Sequence, residues 1–539
     1  MDLLSLKQQI SEMKPTNRHP LYASHLYWSQ KPYNICELLI KSLTNESDIV
    51  LDPFMGSGVT VVEAVLLGRK GVGVEINELP IFIVDTILHH LQDPSLVESV
   101  LHDFAGLLER LKVNYETWSD ECNEVGIIKK VIFDRESPFA EPCITEVHYQ
   151  CKGKTYTKKP DLFDIQNMMV SKKFTQFKNY TMVANSRIAV QKNQEISTLF
   201  TPRALNTIDE ILEYMSAIQE EELRNIIKYI LMGSLHLMKI TDLKSNSQWP
   251  LWTPKKDCLE KNAIDVLLKR IHLFHETYRY IREANPSIRK GYSFSDLKDG
   301  ADFYVVHKGT QHLTQDDLPY QSVDLVITDP PYLGQVLYSE YMQLYYPFVG
   351  LQFNLEDEIV VSTAEGRGKD EQMYFDLLHR SFQNVSKKLK DGKLLCMYFH
   401  DSHLSVWNKL IRIMNENGLS FLTQIHIAKK VTLKNILSPK KSLQGDSILF
   451  FIKNTTVEQA SEQTETLDEI VQNVILHIQE ELKNKGPLTT PQLMDDGLME
   501  YMIQNGWLES LSIHYKDIVE LLEPHIAWNE KLGKWYVET

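Results

Sequence analysis

Residues 52–77 read DPFMGSGVTVVEAVLLGRKGVGVEIN, and this stretch decides the fold. Together with the residues just before it, DIVLDPF predicts a strand and Gly56 and Gly58 a tight turn at its end. VTVVEAVLLG has the apolar spacing of a helix, and KGVGVEI predicts a second strand. Strand, glycine turn, helix and strand make a βαβ unit. Such a unit opens a doubly wound sheet and places a ligand over the carboxyl ends of the strands.

The turn also carries chemistry. Asp52 stands at the end of the first strand, beside glycines that let the backbone approach a ligand. Glu75 follows 23 positions later, at the end of the second strand. There a carboxylate can take both hydroxyls of a ribose, and the spacing fits the acid found about 20 residues on in nucleoside-binding βαβ units.

Working outward, NICELLIKSL upstream is apolar-periodic and predicts a helix. A second block at about 300–453 contains the strands SVDLVITDPPY and GKLLCMYFH, the helix SVWNKLIRIMNENG and the late strand SLQGDSILFFIK. It supplies the other half of the same sheet. The intervening residues break the alternation and include long helical runs, TPRALNTIDEILEYMSAIQEEELRNIIKYILMGSLHLMK and DVLLKRIHLFHETYRYIREA. After Lys453 the polar NTTVEQASEQTET reads as a linker, followed by helices and a closing WNEKLGKWYV that resembles a hairpin, together suggesting a winged-helix tail. The expected division is 1–112 and 296–455 for the two parts of one α/β Rossmann-like domain. A large mixed insert spans 113–295, and a small mainly helical domain spans 466–539.

The run 52–77, down to the Gly-Arg before its second strand, closely resembles motifs I and II of the amino-methylating (N6-adenine/N4-cytosine) DNA methyltransferases. SQKPYNICELLIKSL is similar to that family's motif X. The resemblance implies S-adenosylmethionine as cofactor. It implies that Lys31 and Pro32 support the cofactor, and that Asp52, Pro53, Phe54, Gly56, Ser57 and Gly58 surround its methionine end. Glu75 would hold its ribose, with Ile76 and Asn77 alongside.

Asp329-Pro330-Pro331-Tyr332 follows an apolar strand and so falls at a carboxyl end beside that loop. An exocyclic amine conjugated to its ring is a poor nucleophile until its lone pair is drawn out by acceptors for both of its hydrogens. The Asp329 carboxylate and the Pro330 carbonyl suit that task, and Tyr332 offers a face for a base flipped from the duplex. The motif order resembles the arrangement in which target recognition interrupts the catalytic domain. It implies double-stranded DNA as partner, with restriction or phage-defence subunits beside it. DPPY occurs with either target base, adenine more often, so N4 of cytosine stays open, as does N2 of guanine in RNA. A retired methylase fold is disfavoured by the intact acids. A Pro-Cys nucleophile at Pro142-Cys143 lies in the insert, away from the expected sheet.

Composition sets bounds on this reading. A chain of 539 residues with 43% hydrophobic and 24% charged residues can bury a sizeable core, and no apolar run is long enough to span a membrane, so a cytoplasmic protein is expected. Six cysteines without a CxxC pair speak against a disulfide framework and against an intact zinc site, of which only His148 and Cys151 resemble a remnant. A net charge of −15 argues against nucleic acid unless charge is segregated. Residues 151–193 answer this with nine basic residues (Lys152, Lys154, Lys158, Lys159, Lys172, Lys173, Lys178, Arg187 and Lys192) against Asp161 and Asp164, interleaved with Tyr156, Phe163, Phe174, Phe177 and Tyr180. Lys429, Lys430, Lys434, Lys440 and Lys441 form a second basic run. His400, Asp401 and His403 are expected at the mouth of the site, and Trp249 and Trp252 as packing anchors.

Overall fold

A computed structural model describes residues 3–16, 19–88, 94–136, 143–170, 172–243, 256–364, 366–427, 440, 446–454 and 465–537. Strands β1 (Ile49–Asp52) and β2 (Lys70–Glu75) pair in parallel, with helix α2 (Val59–Leu66) crossing between them and α1 (Tyr33–Leu43) preceding them. Val59 through Val65 are all buried, because α2 lies against the sheet on one side and α1 on the other. Close approach is allowed by the absence of side chains at Gly71 and Gly73. A Cβ on the first would lie 2.7 Å from the Val61 carbonyl oxygen, and one on the second would collide with the Met55 sulfur.

Six further strands complete the main sheet as described: β3 (Lys290–Gly291), β4 (Phe303–His307), β5 (Val323–Thr328), β6 (Leu389–Phe399), β7 (Leu419–Ile427) and β8 (Asp446–Lys453). Their order is β7-β8-β6-β5-β1-β2-β4-β3. All neighbours are parallel except β8, which runs antiparallel to both β6 and β7. Every residue of β5 is buried, as expected of a central parallel strand covered on both faces. The sheet is Rossmann-like, and chain order reverses at β1, with β2 on one side and β5 on the other. A crevice opens at the carboxyl ends there.

A second, antiparallel sheet is built from strands between Glu116 and Lys261. Helices α3 (Pro202–Ala217), α4 (Glu221–Met238) and α5 (Ala263–Ala284) accompany it. The segment TPRALNTIDEIL is a helix start. The Thr201 hydroxyl accepts from the Ala204 N–H, Pro202 occupies the first turn, and Arg203 reaches Glu260 at 2.5 Å with both side chains 1% exposed.

The C-terminal residues form a long helix (Leu467–Lys485), shorter helices and a hairpin of Ala527–Asn529 with Lys534–Tyr536. They are docked on the sheet. Ile470, Val474, Leu511 and Trp535 belong to one apolar cluster with Leu395, Met397 and Phe451. The Gln424 amide donates to the Met494 carbonyl at 2.8 Å. Among the described residues no helix is long and apolar enough to cross a membrane.

Candidate active site

Register places the three expected acids together. Asp52 pairs with Gly73, so Glu75 lies two residues beyond it on one side. Leu51 pairs with Val326 on the other side, which puts Asp329 the same distance beyond. All three border one cleft that opens to solvent.

The glycine loop is pinned from β2. Gly56 and Gly58 adopt φ of 48° and 78°, which favour glycine, and the Met55 N–H donates to the Val74 carbonyl at 3.0 Å. The Glu75 carboxylate accepts from the backbone N–H groups of Gly56 (3.1 Å), Ile76 (2.9 Å) and Asn77 (3.0 Å). Asp52 accepts from the Phe54 N–H at 3.1 Å. Burial nevertheless pushes both carboxyls up to about 7, against the pull of these donors. A buried carboxylate so poised gains from a ligand that brings hydroxyl donors or positive charge.

The cleft is also acidic overall. Asp52, Glu75, Asp329, Asp357 and Glu358 line it against Lys31 and Lys308. Lys308 is bonded to Asp317 at 2.7 Å, and Glu358 to Arg367 at 2.5 Å.

At the end of β5, burial raises the Asp329 carboxyl, while Lys31 and Tyr332 oppose the rise. Lys31 Nζ lies 2.9 Å from Asp329 Oδ2 and 3.3 Å from Asp446 Oδ2. The Tyr332 hydroxyl is 2.6 Å from Asp329 Oδ1 and 2.9 Å from the Tyr398 carbonyl. Tyr374 donates to the Pro331 carbonyl at 2.5 Å. No described donor meets the Pro330 carbonyl. Leu333, next in the chain, has φ of 32°, a conformation that costs a side-chain-bearing residue about 1–2 kcal/mol. It is held by the Val361 N–H on its carbonyl at 2.6 Å, and the neighbouring Gly334 carbonyl accepts from the Arg187 guanidinium.

Of the residues expected from the sequence, Lys31, Asp52, Pro53, Phe54, Gly56, Ser57, Glu75, Ile76, Asn77, Asp329 and Pro331 line the cleft. Pro32, Gly58, Pro330 and Tyr332 do not. Pro32 precedes α1 as its cap residue, and Gly58 starts α2 with its Cα against Val84. Asn77 lines the cleft, but its side chain bonds Ser339 and the Asn354 N–H. Asp446 was not found from sequence. Because β8 runs antiparallel, its first residue arrives at the edge where the parallel strands end.

The expected basic stripe is only partly available. Lys158 pairs with Asp161 and Asp164, Lys172 with Glu210 and Lys152 with Glu124, and Arg187 holds the Gly334 carbonyl in the loop after Asp329. The aromatics pack inward. Phe177 stacks on Phe348 at 5.1 Å and Tyr180 meets Tyr346 at 5.3 Å, so these rings pack against the segment that follows β5. Phe163 remains half exposed, and Lys154, Lys159, Lys173 and Lys178 are exposed. In the second basic run Lys440 binds Glu523 at 2.8 Å, and Lys429, Lys430, Lys434 and Lys441 lie outside the described residues. So do Trp249, Trp252 and Pro142.

Asp401 does not face the cleft. It accepts from the His403 N–H at 2.8 Å where helix α6 (Leu404–Glu416) begins, and neither it, His400 nor His403 is a lining residue. His148 contacts Glu146, and the Cys151 thiol contacts Glu124 at 3.2 Å. Among the described residues no group of three metal-ligating side chains comes together.

Comparison with known proteins returns DNA methylases and methyltransferases. A family model described as DNA methylase matches residues 6–82. The type II methyltransferase M.MjaII of Methanocaldococcus jannaschii is 21% identical over 455 residues, covering 78% of this chain and 77% of that protein. The type II methyltransferase M.HindIII of Haemophilus influenzae is 51% identical over 49 residues, only 9% of this chain and 16% of that one. A solved structure from Listeria monocytogenes, described as a candidate class I S-adenosylmethionine-dependent methyltransferase, covers 40% of this chain and 51% of that one at 14% identity with a TM-score of 0.17. At that score the fold rests on the sheet topology alone. The chain resembles the amino-methylating DNA methyltransferases.

Proposed function

We propose that the protein transfers a methyl group from S-adenosylmethionine to the exocyclic amine of a DNA base turned out of the duplex, N6 of adenine before N4 of cytosine. The observation that carries this reading is the meeting of Asp52, Glu75 and Asp329 around one cleft at the carboxyl ends of β1, β2 and β5.

The cleft fits the cofactor. Glu75, already fixed by three backbone donors, would accept the ribose hydroxyls. The glycine turn and Asp52 would face the methionine end, and the surplus of carboxylates favours a sulfonium cation over the neutral thioether product. Once bound, the cofactor supplies an electrophilic methyl. The remaining work belongs to the chain. Asp329 and the Pro330 carbonyl accept the two amine hydrogens and turn the nitrogen lone pair toward the cleft. Tyr374 and Arg187 hold the carbonyls that follow, so that the acceptors keep their separation while the base enters.

Target recognition is assigned to the insert 113–295 between the catalytic parts 1–112 and 296–455, with the exposed lysines 154, 159, 173 and 178 on phosphates. The domain 466–539 braces β7. The setting that follows is cytoplasmic modification of DNA beside a restriction or phage-defence partner. Equilibrium dialysis with labelled cofactor, followed by transfer to DNA, tests the site. Glu75→Ala is expected to lose cofactor binding, whereas Asp329→Ala binds cofactor and transfers nothing. Full activity in Asp329→Ala would refute the mechanism.

A further inference from the structure

Asp329 has two carboxylate oxygens, and both are engaged. Tyr332 holds Oδ1 at 2.6 Å, and the Lys31 ammonium stands 2.9 Å from Oδ2. On the proposed function one amine hydrogen of the base needs an Asp329 oxygen. Each oxygen keeps a second acceptor site, but a carboxylate whose charge is compensated by an ammonium 2.9 Å away is a weaker acceptor for an amine hydrogen, so Lys31 on Asp329 weakens the pull on the base. A cation left there would also oppose the positive charge that builds on the nitrogen during transfer.

The structure supplies a second place for that ammonium. Asp446 Oδ2 is 3.3 Å from the same Nζ. The two anchors differ in rigidity. Asp446 is paired in the ladder with Ile427, and the next residue pairs with both Phe399 and His426, whereas Asp329 sits in the loop beyond β5. Between them the lysine passes the rings of Tyr332 and Tyr398 at 5.5 and 5.4 Å, which attract a cation at either end. Burial disfavours the charge on Lys31, but Asp329 and Asp446 outweigh it and hold the group above the ordinary lysine range. Of the two lysines in the cleft, Lys308 is already held by both oxygens of Asp317. Lys31 is therefore the cation that an amino-acid carboxylate entering the cleft would meet.

We propose that Asp446 is a positioning residue that takes Lys31 from Asp329 as the cofactor's carboxylate enters, so that cofactor binding frees the base acceptor and precedes productive base capture. This rests on the proposed function. No bond is made or broken in the exchange; the ammonium keeps its proton and changes carboxylate partner.

The test compares methyl transfer to unmethylated genomic DNA at saturating cofactor for wild type, Asp446→Asn, Lys31→Met and the double variant. With Asp446 neutral, Lys31 stays on Asp329, and kcat is expected to fall about ten-fold or more, the scale of one charged hydrogen bond. Removing Lys31 as well removes the need for the post, so the double variant is expected to turn over faster than Asp446→Asn. A double variant no faster than Asp446→Asn overturns the proposal. A second measurement needs only the wild type. Labelled cofactor bound first and chased with unlabelled cofactor plus DNA is expected to be trapped in product. If instead the preformed enzyme–DNA complex is the productive one and no label is trapped, the proposal falls. Wild type that transfers no methyl to DNA overturns the proposed function itself, which separates that failure from this one.

Discussion

Cofactor affinity is expected to rise with pH across neutrality, because Asp52 and Glu75 are both pushed up to about 7 by burial in the ligand-free protein. A ligand whose hydroxyls or positive charge need the ionised acids must first remove their protons. A carboxyl with a pKa near 7 is roughly 10% ionised at pH 6 and roughly 90% at pH 8, so each acid contributes about ten-fold in affinity over that interval. The two acids repel one another, and their joint effect lies between about ten-fold and about a hundred-fold. Titration calorimetry at pH 6, 7 and 8 in two buffers of different ionisation enthalpy reads both the affinity and the protons released. Methylthioadenosine, which lacks the amino-acid end, isolates the ribose contact, and Glu75→Gln should flatten its pH dependence. The sign for stability is opposite. With folded values above the unfolded ones, the ligand-free protein carries no penalty below about pH 4 and the full penalty above about pH 7, so its melting temperature should fall as pH rises through that window. Affinity for both ligands that stays flat from pH 6 to 8, with no proton release, would refute the argument.

Other perturbations test the scaffold. Glu260→Gln leaves Arg203 buried without its counter-charge and is expected to destabilise the protein by about 3–5 kcal/mol in chemical denaturation. Gly58→Ala forces a Cβ into Val84 at a left-handed position; a loss of about 2–4 kcal/mol is expected, read as a lowered melting temperature together with weakened cofactor binding. Arg187→Ala releases the Gly334 and Val361 carbonyls, and because the guanidinium is exposed the expected fall in kcat is only about five-fold, with cofactor affinity from dialysis unchanged.

The parts of the fold legible in the sequence are those written in local pattern. The β1–α2–β2 unit, the strand before Asp329 and the strands of GKLLCMYFH and DSILFFIK each carry their own apolar pattern, and β1, β2 and β5 end at the acids that border the cleft. The short strands β3 and β4 and the strand β7 carry weaker patterns. Asp446 was hidden for a different reason. Its place at the catalytic edge depends on β8 running against its neighbours, a pairing set by residues far apart in the chain. The same holds for Phe177 and Tyr180. Among lysines they resemble nucleic-acid contacts, but Phe348 and Tyr346, about 170 positions away, give them apolar partners. The motif around Lys31 indicated a cofactor contact, and it could not show that the ammonium rests on Asp329.

The most direct test of the central claim is methyl transfer from labelled S-adenosylmethionine to unmethylated genomic DNA and, in parallel, to total RNA, with mass spectrometry of the product nucleosides. The account predicts label in DNA as N6-methyladenine, with the same cleft chemistry serving if the product is N4-methylcytosine. Label confined to RNA, or to a carbon of a DNA base, would contradict it.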